Sequence, residues 1–102
     1  FIRGETSLLS EEEQQGFNLF MGKAKCGTCH YYPLFNGVVP PAYTRTESEV
    51  IGTPASPDER HVSPDSGRYV SSRLPIHLRA FKIPGLRFVA QTAPYMHNGV
   101  YQ

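Results

Sequence analysis

Apolar residues follow a helical period in one stretch of this chain. Phe17, Phe20, Met21 and Ala24 recur at intervals of three and four, the spacing that puts side chains on one face of an α-helix. Upstream, Ser10 and Glu13 form the Ser-x-x-Glu pattern of a capping box, and Glu11 and Glu12 fall where the positive end of a helix dipole favours carboxylates. Gly22 supplies a stop. The pattern predicts a helix over 11–21 that delivers the chain directly into Cys26. Gly16 lies inside it, four residues before Phe20. A glycine there costs ~1 kcal/mol relative to alanine, and so marks an expected close crossing by another helix.

From Tyr31 to about Leu78 neither a helical nor an alternating period is found. Pro33, Pro40, Pro41, Pro54, Pro57, Pro64 and Pro75 interrupt it repeatedly. Tyr43 to Ile51 is the one candidate strand, and Ala55 to Gly67, rich in Ser, Pro and Asp, reads as an exposed loop. So long an irregular stretch is unusual in a compact domain unless it wraps a cofactor or covers a partner. Beyond Arg79, Leu86, Val89 and Ala90 suit one turn of helix, and Asn98-Gly99 reads as a turn. There is no internal repeat and no low-complexity tract.

Composition sharpens the picture. With 102 residues the chain makes one small domain, whose core is thin unless something supplements it. Hydrophobic residues at 39%, with nine Gly and nine Pro, favour loops over long helices or sheets. A formal net charge of +1, from ten basic and nine acidic residues, offers no basic stripe for nucleic-acid phosphates. No apolar run approaches the ~20 residues needed to span a bilayer. Phe1 to Glu5 lacks the charged-then-apolar layout of a signal peptide.

The candidate chemistry lies in Cys26-Gly27-Thr28-Cys29-His30. Two thiols separated by two residues can add to the two vinyl groups of haem as thioethers. The next residue, histidine, is then held beneath the iron as an axial ligand. A thioredoxin-like pair would sit at a helix start after a buried strand, whereas here a helix precedes the motif. A structural zinc site needs four ligands, and only the scattered His61, His77 and His97 remain to complete one. Covalent haem c is therefore the expected cofactor, one per chain. Its flat apolar body supplies the missing core, and its propionates bring the net charge slightly below zero. Thioether attachment takes place outside the bacterial cytoplasm, so an export signal is expected upstream of Phe1.

Met96 is the one methionine downstream of the motif and, by elimination, the candidate sixth ligand, with Tyr95 and His97 as adjacent competitors. His61 is expected in solvent. His77 is either a surface residue or a hydrogen-bond donor to a propionate. One of Arg79, Lys82 and Arg87 is expected to pair with a propionate, because buried carboxylates require a cation or donors. No residue has the placement of a peroxide acid–base catalyst, and nothing in the sequence points Glu47 or Glu49 at iron.

Several segments together resemble the bacterial dihaem cytochrome c peroxidases. They are Gly16 to Phe20, Cys26 to His30, Pro33 to Gly37, Phe81 to Arg87 and Thr92 to Gly99, which cover nearly the whole chain. The resemblance is to the C-terminal, electron-receiving haem domain, and the methylamine-utilisation dihaem enzymes share the architecture. It implies a mainly α, cytochrome c-like domain with long haem-wrapping loops over residues 1–102, as a fragment of a larger two-domain protein. It further implies a periplasmic enzyme that reduces hydrogen peroxide to water. Electrons would come from a small cytochrome or cupredoxin and pass to a second haem in a domain absent here, with a second copy of the chain as a further expected partner. By position, Cys26, Cys29 and His30 match the haem attachment site, Arg87 a family arginine near a propionate, and His97 a family histidine near the interhaem region. The carbonyls of Thr92 and Pro94 match those that hold a calcium ion. Phe88 stands where the family often has asparagine, and the family's sixth ligand lies well beyond the His-Asn-Gly turn. Two alternatives are a non-catalytic single-haem carrier ligated by His30 and Met96, and an open-site haem that binds small ligands.

Overall fold

A computed structural model of the chain describes residues 3–102. Helix α1 spans Glu11–Met21, the range that the apolar spacing predicts. Both halves of its capping box form. The Glu13 amide donates to the Ser10 hydroxyl at 3.2 Å, and the Ser10 amide to the Glu13 carboxylate at 2.8 Å. At the other end Gly22 donates back to the Asn18 carbonyl and ends the helix. A Cβ at Gly16 would meet no atom within 4 Å, so among the described residues nothing crosses α1 there, contrary to the expected close approach.

Beyond α1 regular structure is sparse. Strand β1 (Ser48–Glu49) pairs antiparallel with β2 (Phe81–Lys82), Ser48 opposite Lys82 and Glu49 opposite Phe81. A single-turn helix α2 covers Tyr69–Ser72, and 3₁₀ turns cover Thr6–Leu8, Cys26–Thr28, Pro75–His77 and Val89–Gln91. The expected strand over 43–51 shrinks to two residues, and the expected turn of helix near Leu86 is the 3₁₀ turn at 89–91. Among the described residues α-helix is confined to α1 and α2, so the mainly α expectation holds only in part. The prolines explain this, since each removes a backbone donor from any ladder it enters.

The loop over 55–67 is more ordered than its composition suggests. Ala55 donates to the His61 carbonyl and Ser63 to the Thr53 carbonyl, closing a hairpin with Thr53 and Ser63 buried at its base. The apolar core is very small: among the described residues only Ala80, Ile83 and Val100 are buried hydrophobics. A cluster of edge-to-face rings joins α1 to the segment after His30. Phe17 meets Tyr32 at 6.2 Å, Tyr32 meets Phe35 at 5.8 Å, and Phe35 meets Phe20 at 5.8 Å.

Candidate functional site

The Cys-x-x-Cys-His segment is held from both sides. After α1 the chain turns through Lys25, whose left-handed φ of 57° swings it into the Cys26–Thr28 turn. Gly27 permits the fit, because a Cβ there would lie 2.6 Å from the Met21 sulfur. The His30 amide donates to the Cys26 carbonyl at 3.0 Å, curling the motif into one compact turn. Downstream, Tyr31 and Asn36 bridge, and the Leu86 amide donates to the Phe35 carbonyl at 3.0 Å. The motif loop is thereby tied to the distant Phe81–Leu86 strip.

His30 shows how this tie acts on chemistry. Its Nδ1 lies 3.1 Å from the Pro84 carbonyl oxygen. A carbonyl only accepts, so Nδ1 carries the proton and Nε2 keeps its lone pair, the tautomer that metal-ligating histidines use. Cys26 is an exposed free thiol and Cys29 a half-buried one.

Cys29 and His30 border a cavity of about 610 Å³, within the ~300–1,000 Å³ range of small-molecule and cofactor pockets. Phe81 to Leu86 form one wall; Val89, Thr92, Pro94, Tyr95, Met96 and His97 form another; Glu49, Ile51 and Thr53 complete it. The lining is largely apolar, with the Cys29 thiol and the His30 imidazole at one edge and the exposed Cys26 thiol outside the lining. A flat apolar group with two thiol-reactive substituents and a metal fits that donor set, so the residues present suit haem c. Among the described residues no three His, Cys, Asp or Glu side chains gather as a metal cluster, which leaves the two thiols without partners for a zinc site.

Of the expected site residues, Cys29, His30, Thr92, Pro94 and Met96 line this cavity, with the competitors Tyr95 and His97. Met96 sits at a left-handed φ of 69°, inside the turn that Gly99 closes by donating to the Met96 carbonyl. Arg87 and Arg79 are exposed and do not border the cavity, whereas Lys82 does. His77 does not border it either. It lines a neighbouring polar cleft of about 670 Å³ with Arg45, Glu47 and Arg68, its Nδ1 buried and without a hydrogen-bond partner. His61 is exposed, as expected.

Sequence reasoning missed Glu49, which reaches the cavity through the β1–β2 pairing, and Thr53, at the base of the 53–63 hairpin; Glu49 borders both the cavity and the polar cleft. It also missed how His97 is held. The imidazole stacks on Phe81 at 3.6 Å and 6°, and its Nε2 lies 3.2 Å from the Ser63 hydroxyl. Beside it Asn98 donates to the Pro54 carbonyl at 2.8 Å. Glu47 lies away from the cavity and accepts from the Tyr31 hydroxyl at 2.7 Å. That bond, with burial and the Glu47 charge, pushes the Tyr31 hydroxyl up to about 12.

This arrangement defines a cytochrome c-like haem domain. No family model matches the chain. It is 33% identical to the cytochrome-c peroxidase IdrP2 of Denitromonas iodatirespirans over 98% of its own length, and 32% identical to the methylamine utilization protein MauG of Paracoccus denitrificans over 98%. A solved MauG-like protein associated with microbial copper homeostasis superposes with a TM-score of 0.71 and 31% identity, over 92% of this chain. The chain belongs to the family of bacterial cytochrome c peroxidases and the related dihaem MauG enzymes, whose cofactor is haem c. It spans 31% of the length of the first relative, 27% of the second and 30% of the solved chain. Among the described residues no helix is long and apolar enough to cross a membrane.

Proposed function

We propose that this chain is the electron-accepting haem c domain of a periplasmic dihaem peroxidase. It receives electrons from a small redox protein and passes them to a second haem in a companion domain, where hydrogen peroxide is reduced to water. The observation that carries this reading is the His30–Pro84 hydrogen bond. It fixes a ligating tautomer at the edge of a cavity that also receives Cys29. Family membership and the share of each relative that the chain spans support the two-domain setting.

Haem c supplies a one-electron iron couple when bound. Cys26 and Cys29 would hold it through thioethers and His30 through Nε2. The Pro84 carbonyl fixes the rotation and tautomer of that imidazole. The Phe81–Leu86 strip and the Val89–Tyr95 segment would cover the porphyrin faces, and a wall that lowers the local dielectric lets small changes in nearby charge tune a potential. Arg87 keeps the propionate role that the resemblance gives it, and Lys82 on the cavity wall offers a second cation. The carbonyls of Thr92 and Pro94 are the proposed calcium ligands.

A second reading, a single-haem carrier without catalysis, is favoured by one observation: Met96 borders the same cavity as His30. Absorption spectroscopy of the haem-loaded protein, oxidised and reduced, with and without carbon monoxide, tests both. A five-coordinate haem that takes up carbon monoxide supports the peroxidase-domain reading. A carbon monoxide-insensitive spectrum with a methionine-to-iron charge-transfer band supports the carrier. His30→Ala removes the native spectrum under both readings, and an unchanged spectrum in that variant would sink them together.

A further inference from the structure

The near-neutral total charge hides a division along the chain. All nine carboxylate side chains lie before Ser66, the last being Asp65, and none follows. Half of the ten cations lie beyond it: Arg68, Arg73, Arg79, Lys82 and Arg87. Three of these belong to one loop. The Arg79 amide donates to the Ser66 carbonyl at 2.9 Å and the Arg68 amide to the Ala80 carbonyl at 2.8 Å, so residues 66–80 leave and return at the same point. Its closed ends make it one surface excursion that carries α2 and the Pro75–His77 turn, and such loops are frequently functional.

Its outer surface combines two features. Val70, Leu74, Ile76 and Leu78 are 60%, 52%, 79% and 47% exposed, four large apolar side chains on one short loop. Scattered apolar residues are ordinary on a surface, whereas a cluster rimmed by charge marks an interaction site. Among the described residues no carboxylate pairs with Arg68, Arg73 or Arg79; Arg68 borders the polar cleft and donates to the Ser48 hydroxyl at 3.4 Å. Exposed apolar and cationic side chains on one loop suit a transient protein complex, in which charge steers encounter and apolar contact holds it. The loop ends at buried Ala80, and the next two residues, Phe81 and Lys82, line the haem cavity. A partner seated here abuts that wall.

We propose that the 66–80 loop is the docking surface for an acidic electron-donor protein. This rests on the electron-accepting reading of the domain. Carboxylates on the donor meet the Arg73 and Arg79 guanidinium groups, which have no carboxylate partner among the described residues, and no acid on the loop repels them.

The test is stopped-flow reduction of the haem-loaded protein by a reduced, acidic small c-type cytochrome. The rate constant is expected to fall about tenfold or more between about 10 mM and about 300 mM salt, as screening removes steering. The double reversal Arg73→Glu with Arg79→Glu should lower the low-salt rate about tenfold and flatten the salt slope. Ile76→Ser should lower the rate about threefold without changing the slope. Arg60→Glu, on a different loop, should do neither. If the reversals leave the rate unchanged while dithionite still reduces the haem fully, the docking surface lies elsewhere. If they abolish sedimentation with phosphatidylglycerol vesicles and spare electron transfer, the loop meets lipid and the proposal fails. A chain without a reducible haem overturns the function reading and this proposal with it.

Discussion

Phe88 stands where the resembling family often carries asparagine, and the backbone explains why asparagine suits. Its φ is 56°, in the left-handed region that asparagine and glycine enter far more readily than a bulky side chain. The ring is 76% exposed, so little burial offsets the strain. Phe88→Asn is expected to stabilise the haem-loaded protein by about 1 kcal/mol, seen as a higher urea midpoint at unchanged slope. Tyr31 offers a second single-residue handle. With its hydroxyl held at about 12 against an ordinary value of 10.0, the folded state retains a proton that the unfolded chain releases first. The stabilisation is therefore complete below pH 10 and lost as pH rises toward 12. Glu47→Gln should bring the Tyr31 titration back toward its ordinary value and abolish that alkaline loss, measured by phenolate absorbance alongside unfolding. A Tyr31 titration unmoved by the substitution would mean that Glu47 is not its partner.

At the scale of elements, what could be read in advance was local. Helix α1 was legible to the residue, because its cap, apolar face and stop all lie within one short segment. Ser10→Ala should cost about 1 kcal/mol, read in thermal unfolding followed by far-ultraviolet circular dichroism. The Cys26 to His30 turn was legible as a candidate site for the same reason of proximity. The cavity wall was not: Glu49 and Thr53 join it through two-residue strands and single bridges between segments far apart in sequence. Pairings so short leave no alternating pattern to detect. The 66–80 loop was hidden likewise, since its closure depends on Gly67 at φ 57°, against the Ala80 carbonyl. Gly67→Ala places a Cβ into that carbonyl as well as straining the backbone, and should cost at least ~1–2 kcal/mol. If the loop is a closed unit, hydrogen exchange should speed up selectively at the Arg68 and Arg79 amides in this variant.

The whole molecule is built around something it does not itself provide. A chain of about 100 residues packed on its own core has a radius of gyration near ~13 Å, and this one measures 16.0 Å. Among the described residues three apolar side chains are buried, and Leu8, Leu19, Leu74 and Ile76 are among many that stay exposed. So few buried groups cannot offset the conformational entropy of ordering a chain this rich in loops. On the proposed reading, haem attached at Cys26 and Cys29 would fill the cavity with apolar surface and reinforce the tie that the His30–Pro84 bond makes between the motif and the Phe81 to Leu86 strip. Cys26→Ala with Cys29→Ala, produced without attached haem, should therefore lose cooperative unfolding and near-ultraviolet circular dichroism. Scattering should show a larger radius, while α1, whose cap is local, retains part of its far-ultraviolet signal. The haem-loaded protein should unfold in one step. A haem-free chain that still melted sharply would show that the loops hold one another without the porphyrin. The cavity would then be a pocket in a finished fold rather than the place where the fold is completed.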